Sequence, residues 1–204
     1  MRSIYVIGVG NGNTGSVINA MTGLNAIVKV PDTPAQILNA TLVVLPGVGS
    51  ATESIDNFSK GGWLDALSER HRSQKPILGI CLGAELMHEF LHEASGPGLG
   101  WLPGEVSPLS DRIGFNNGWC HLDIKMFKKT GLDRSIGPEA TFFFNHGYAM
   151  PLNPALTQVV VREMPSVPAL VLQNHLCAVQ FHPEKSQVYG RTILRNIVED
   201  YYGL

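Results

Sequence analysis

Charge is scarce in this sequence. Only 16% of the 204 residues are Asp, Glu, Lys or Arg, against about 25% in an ordinary globular chain. The 15 basic and 17 acidic residues nearly cancel, for a formal net charge of −2. No basic excess is available to hold a phosphate backbone or an anionic bilayer, so neither nucleic acid nor membrane is expected as a partner. Cysteine is scarce too. Cys81, Cys120 and Cys177 are an odd number, which argues against a disulfide framework and for a reducing compartment. Long apolar runs are missing. The opening run, Ile4 to Val9, ends among glycines and asparagines and is too short for a signal core or a membrane span. A cytoplasmic location is the expectation.

What remains is enough for one domain with a real core. Ile4–Ile7, Ala26–Val30 and Thr41–Leu45 are short apolar runs closed by glycine or proline, and Pro76–Ile80 is a fourth run. They alternate with stretches that suit helices: 15–22, 34–39, 63–72 and 83–93. This alternation predicts a mostly parallel α/β sheet flanked by helices. After Ser95 the pattern loosens. Residues 96–104 suit a loop, with strands expected at 122–124, 141–144, 158–162, 170–173 and 177–180. The later ones make an added antiparallel portion, and a last helix is expected over 190–201. No repeat or linker interrupts residues 1–204, so a single domain is expected.

Three motifs compete for the chemistry. Gly10-x-Gly12-x-x-Gly15 follows the first strand, with Asp32 about 20 residues on, as in a dinucleotide fingerprint. Glycines at a first strand–helix turn are also ordinary turn chemistry, and that is the reading adopted. His88-Glu89-Phe90-Leu91-His92 spells H-E-x-x-H, which on a helix binds zinc. Here the apolar stripe Leu86, Met87, Phe90, Leu91 and Ala94 leaves Glu85, His88, Glu89 and His92 on a polar, solvated face, with only Glu105 nearby as a further ligand. No metal is expected. The third motif is Gly79-Ile80-Cys81-Leu82-Gly83, a strand running into a cysteine at a sharp, glycine-flanked turn. That is a nucleophile elbow carrying sulfur. A following helix favours the thiolate, and the Leu82 N–H is placed to hold an oxyanion. His182, in Phe181-His182-Pro183-Glu184, offers the base, with Glu184 to orient it.

Together these residues resemble the class I, triad-type glutamine amidotransferases. Gly79–Gly83 and Gln180-Phe181-His182-Pro183-Glu184-Lys185-Ser186 carry the resemblance. Gly10–Asn13, Leu45-Pro46-Gly47-Val48-Gly49, Gly98–Val106 and Asn145-His146-Gly147-Tyr148 narrow it to glutaminase subunits of imidazole glycerol phosphate synthases. The resemblance implies a single-domain, flavodoxin-like amidotransferase fold and a Cys81–His182–Glu184 triad acting on L-glutamine. It implies an oxyanion hole from Leu82 and the Gly47–Val48 peptide, and substrate contacts from Glu85, His146, Gly147 and Tyr148. It further implies a heterodimer with a β/α-barrel cyclase subunit that receives the ammonia, with Asn13, Trp119 and Lys185 at that interface. No metal or organic cofactor is implied. The chain departs from the family pattern at Glu85, where a glutamine is usual, at 115–120, and at Gly147, where a serine is usual. Three readings follow: the histidine-pathway glutaminase, a paralogue feeding ammonia to a sugar or surface polysaccharide, and a subunit that binds without hydrolysing. Cys120 and Cys177 are read as structural. His71, His121 and His175 have no visible partner in the sequence and are read as surface or loop residues.

Overall fold

The computed structural model describes residues 2–8, 13–110 and 112–204. The Gly10–Gly12 part of the glycine-rich turn lies outside them. The first half follows the expected alternation: β1 (Ser3–Val6), α1 (Thr14–Ala20), β2 (Ile27–Lys29), α2 (Pro34–Leu38), β3 (Leu42–Leu45), α3 (Ala51–Ser59), α4 (Trp63–Arg72) and β4 (Ile77–Ile80). A four-residue helix α5 (Leu82–Glu85) follows, then β5 (His88–Leu91), β6 (Gly96–Pro97), β7 (Leu102–Pro108), β8 (Asn116–His121) and α6 (Ile124–Lys128). The chain ends with β9 (Thr141–His146), β10 (Tyr148–Ala149), β11 (Thr157–Val161), β12 (Met164–Gln173), β13 (Leu176–Val179) and α7 (Gln187–Asn196), which runs on into a π turn over Ile197–Tyr201.

A seven-stranded sheet in the order β11-β12-β13-β4-β3-β1-β2 forms the centre. Its β13-β4-β3-β1-β2 part is parallel, and β11 and β12 are antiparallel additions. β3, β4 and β13 are buried at every position, the signature of a parallel sheet covered on both faces. Val44 and Leu78 belong to the core on one face, while Val43, Leu45 and Ile77 belong to the core on the other. Beside this sheet lie a four-stranded sheet, β10-β7-β5-β6, and the hairpin-like pair β8-β9.

Three expectations fail. The loop expected over 96–104 is strand at both ends, in β6 and at the start of β7. The helix over 83–93 ends at Glu85. The carbonyls of Leu86, Met87, His88 and Glu89, which a helix would need for its next turn, are taken by the N–H groups of residues 98–102. Gly98 lies so close that a Cβ there would sit 2.2 Å from the His88 carbonyl oxygen. Residues 88–91 therefore form a strand, and the polar face expected of this segment does not exist: Glu85 and His88 are buried. The strand expected at 122–124 lies at Asn116–His121 instead, and Ile124 begins α6. The three unassigned histidines have partners. His175 Nε2 meets His71 Nδ1 at 3.0 Å, His175 Nδ1 meets Gln74 Oε1 at 3.2 Å, and His121 Nδ1 meets Glu163 Oε1 at 2.5 Å.

Arg70 is the largest buried charge and has 0% exposure. Its guanidinium donates to the carbonyls of Ile37, Ala40, Thr41 and Pro76. It thus ties the end of α2 to the entries of β3 and β4. Burial pulls its pKa down to about 10, so it stays charged at neutral pH.

Candidate active site

The site is assembled from the carboxyl ends of three adjacent strands, where open parallel sheets bind their ligands. β4 ends at Ile80 and delivers Cys81. β13 is registered beside it, Val179 opposite Ile80, and delivers Gln180, His182 and Glu184. β3 lies on the other side, Leu45 opposite Gly79, and delivers Gly47 and Val48. Strand adjacency thus joins Cys81 to residues about a hundred positions later.

Cys81 has φ 47° and ψ −111°, left-handed backbone that an L-residue adopts at a cost on the order of 1–3 kcal/mol. The elbow holds because its surroundings leave no room for side chains. A Cβ on Gly83 would lie 2.1 Å from the Leu45 carbonyl oxygen, and one on Gly47 1.8 Å from that of Ile80. The Cys81 N–H donates to Val179 O at 2.7 Å, and its carbonyl accepts from Ala84 and Glu85 at 2.9 and 3.0 Å. The thiol contacts the Asn145 carbonyl at 3.9 Å.

His182 and Glu184 follow β13, each side chain 1% exposed, with Nδ1 and Oε1 2.8 Å apart. Glu184 Oε1 also accepts from Asn13 Nδ2 at 3.0 Å. A carboxylate on Nδ1 puts the proton there and leaves Nε2 with a lone pair. That Nε2 has no hydrogen-bond partner, and His182 lines the same cavity as Cys81. The arrangement suits a base that takes a thiol proton.

The cavity measures about 390 Å³ and is lined by Gly47, Val48, Cys81, Leu82, Glu85, His146, Gly147, Tyr148 and His182. Every residue expected in the oxyanion hole or against substrate is therefore in it, with the nucleophile and the base. Glu93, Phe115, Asn145 and Gly49 line it as well. Glu93 had no sequence signal, because the helix expected there pointed its neighbours elsewhere. Gln180 carried one, two residues before His182 at a strand end and so on the same face. Its Oε1 accepts from Met150 N–H at 3.2 Å, which turns its Nε2 to Glu85 Oε1 at 2.7 Å.

Electrostatics in the cavity are dominated by burial. It raises the Glu85 carboxyl to about 7, with Glu93 adding to the rise and the Gln180 donor opposing it. It pushes the Cys81 thiol well up. Glu85 and Glu184 add to that rise, while the Leu82 N–H and Gln180 oppose it. His146 is held neutral, near 4, chiefly by burial. Its Nδ1 donates to Tyr148 O at 2.6 Å and its Nε2 accepts from Asn116 Nδ2 at 3.2 Å. Both ring nitrogens are therefore spent, Nδ1 on holding the Tyr148 carbonyl and Nε2 on Asn116.

Trp119 and Lys185 lie outside the cavity. Trp119, 46% exposed, meets the Phe143 ring edge-on at 5.6 Å, and Lys185 Nζ lies 5.8 Å from the centre of that ring. The H-E-x-x-H residues bind elsewhere: His92 to Glu105 at 2.9 Å and His88 Nδ1 to Pro103 O at 3.3 Å. Among the described residues no three His, Cys, Asp or Glu side chains group to hold a metal. Nor is any described helix long and apolar enough to cross a membrane.

Residues 5–200 match the family model described as glutamine amidotransferase class-I. Among curated proteins, the chain is 34% identical over 200 residues to the imidazole glycerol phosphate synthase subunit HisH of Listeria innocua, covering 96% of this chain and 95% of that one. It is 32% identical over 199 residues to the HisH subunit of Deinococcus radiodurans, covering 95% and 91%. Among solved structures, PurLQS from Thermotoga maritima superposes with a TM-score of 0.69 at 14% identity, covering 98% of this chain and 99% of the matched one. A glutamine amidotransferase from the same organism gives 0.63 at 18% identity, covering 100% and 99%.

Proposed function

The chain belongs to the class-I glutamine amidotransferase family, and from that premise we propose that it is the glutaminase subunit of an imidazole glycerol phosphate synthase. Glutamine amidotransferase activity comes with the family. The finer reading names the triad, the partner and the acceptor.

The observation that carries the chemistry is a buried imidazole whose Nδ1 is held by Glu184, whose Nε2 has no hydrogen-bond partner, and which lines the same cavity as Cys81. His182 Nε2 takes the thiol proton. The sulfur attacks the side-chain amide carbon of glutamine, and the carbonyl oxygen becomes an oxyanion held by Leu82 N–H and the Gly47–Val48 peptide. Collapse breaks the C–N bond. The proton on Nε2 goes to the leaving nitrogen, so that ammonia departs and a thioester remains. Water, deprotonated by the same Nε2, attacks the thioester, releases glutamate and restores the thiol.

The far end of the cavity reads the amino acid. Glu85 and Glu93 suit the α-ammonium group, and the backbone of Gly147 and Tyr148, braced by His146, suits the α-carboxylate. Asn13, Trp119 and Lys185 belong to the face that docks a cyclase-like β/α barrel, and Asn13 links that face to Glu184. Ammonia passes to this partner, in the cytoplasm. The near end-to-end match to HisH subunits supports this assignment. Glu85 and the divergent 115–120 segment favour a second reading, a paralogous subunit whose partner aminates a sugar.

The test is co-expression with the cyclase-like protein encoded beside this chain. Glutamate release is then measured with and without the phosphoribulosyl formimino nucleotide. Release that rises with the nucleotide and is lost in Cys81→Ala is the expected result. A complex that forms yet ignores the nucleotide refutes the histidine-pathway assignment and leaves the paralogue.

A further inference from the structure

The departure at residue 85 places two acids, a thiol and a carboxyl, in one cavity. Glu85 follows Cys81 by one helical turn, its N–H donating to the Cys81 carbonyl at 3.0 Å. Residues so spaced share a face, and both side chains line the cavity. Both residues are 5% exposed. Gln180 Nε2, turned by the Met150 N–H, gives the carboxylate a charge-stabilising donor at 2.7 Å. Other groups facing this end are Glu93 after β5, His182 after β13, with Glu184 behind it, and His146 and Tyr148 from β9 and β10. β3 contributes only Gly47, Val48 and Gly49. His146 is neutral, and among the described residues no lysine or arginine lines the cavity. The protein thus sets carboxyl groups in the cavity of its sulfur and supplies no lysine or arginine there to balance them.

We propose that Glu85 holds Cys81 in its unreactive thiol form while the cavity is empty, and that the α-ammonium group of the bound amino acid releases it. The nucleophile then becomes charged chiefly on an occupied site. The proton leaves to His182 Nε2, and the ammonium ion supplies the positive charge that the protein leaves out. A neutral glutamine side chain at this position would impose no such restraint. Like charges in a shared low-dielectric site oppose each other's ionisation, and an opposite charge reverses the effect. Glu85 ionises near neutrality, so the restraint operates at physiological pH. The inference rests on the glutaminase reading only for the identity of the ammonium-bearing ligand.

Alkylation of Cys81 by iodoacetamide, followed on its own peptide across pH, tests this on the full-length chain. Two occupants are compared, L-2-aminobutyrate and butyrate. They share a carboxylate, lack the reactive amide and differ in the ammonium group. Their binding is first established by equilibrium dialysis. Steric shielding scales the rate, whereas a change in thiol acidity moves the midpoint of the pH profile. Glu85→Gln keeps an acceptor for Gln180. The expected result is a midpoint lowered enough to give about tenfold more thiolate at fixed pH. L-2-Aminobutyrate lowers the wild-type midpoint, butyrate does not, and the lowering by L-2-aminobutyrate is smaller in Glu85→Gln, where only the direct attraction of the ammonium group remains. A midpoint unmoved by Glu85→Gln overturns the proposal, and so does one that butyrate lowers as far as L-2-aminobutyrate. In the wild type with L-2-aminobutyrate alone, a fixed midpoint overturns it without any variant. Glutamate release by the complex is a separate readout. A complex that makes glutamate while the midpoint stays fixed defeats this inference and spares the glutaminase reading. A shifted midpoint in a complex that never releases glutamate does the reverse.

Discussion

Gly47→Ala tests whether the approach of the β3 end to the elbow builds the oxyanion site. A Cβ at this position falls 1.8 Å from the Ile80 carbonyl oxygen, 2.6 Å from its carbon and 2.8 Å from Cys81 Cβ. Ordinary contacts between such atoms are about 3.5 Å, and all three neighbours are backbone or elbow atoms with little freedom to turn away. The 46–48 segment must therefore retreat by more than about 1 Å. Overpacking of this kind costs about 1–3 kcal/mol, or roughly 2–10 °C in Tm for a domain of this size. The same retreat takes the Gly47–Val48 peptide away from the developing oxyanion. Loss of one such donor lowers kcat about 10²–10³-fold. The assay is glutamate release by the complex with its partner, with thermal unfolding alongside. KM should move far less than kcat, because the cavity's acidic end is untouched. Gly15→Ala is the control, since nothing lies within 4 Å of a Cβ there. It should be neutral or slightly stabilising, by up to about 1 kcal/mol. A Gly47→Ala variant with wild-type kcat and Tm would refute the steric argument and the placement of the oxyanion hole.

Four other outcomes are expected. Glu184→Gln should lower kcat by about 10³–10⁴, as loss of the orienting carboxylate does in a triad. Asn13→Ala removes one hydrogen bond to that carboxylate and should cost about tenfold; equal losses in the two would mean that Asn13 acts by another route. Arg70→Met should destabilise the fold by about 3–5 kcal/mol in urea unfolding, because four buried or part-buried carbonyls lose the guanidinium as a donor. Finally, burial lowers His88, His146 and His175 each to about 4, against about 6.5 when unfolded. The unfolded chain thus binds more protons between those values, so stability is full above about pH 6.5 and falls as pH drops toward 4. Between pH 7 and 5 the loss should be on the order of 1–2 kcal/mol each for His88 and His146 and less for His175, offset in part by Glu85, whose raised pKa near 7 works the other way. A flat urea midpoint over that range would contradict it.

Local signals in the sequence were enough for the parallel core and the elbow. β1, β3, β4 and α4 form where apolar runs, prolines and glycines place them, because a buried parallel strand reads the same in any context. Cys81 and His182-Pro183-Glu184 stood out because the turn and the base–carboxylate pair are local patterns. α3 carried an unused signal. Ser50 and Glu53 are spaced as in a capping box, with Ala51, Ile55 and Phe58 along one face. Residues 83–93 misled for the opposite reason. Their apolar spacing is helical, but helix formation needs local carbonyls, and the 98–102 segment claims them.

By itself, then, the sequence determined which side chains are available for chemistry and where the chain turns sharply. Composition also set the low content of charge, 16% of residues, and its near balance. Tertiary structure decided which of those side chains meet. The pairing of β13 with β4 brings His182 to Cys81. The return of residues 98–102 ends α5 at Glu85, and the chain beyond brings Glu93 to the cavity. The Met150 N–H turns Gln180 toward Glu85. These are long-range contacts, and no local propensity encodes them. They also set the dielectric around Glu85 and Cys81, which is why the acidity of both groups belongs to the fold and not to the residue types.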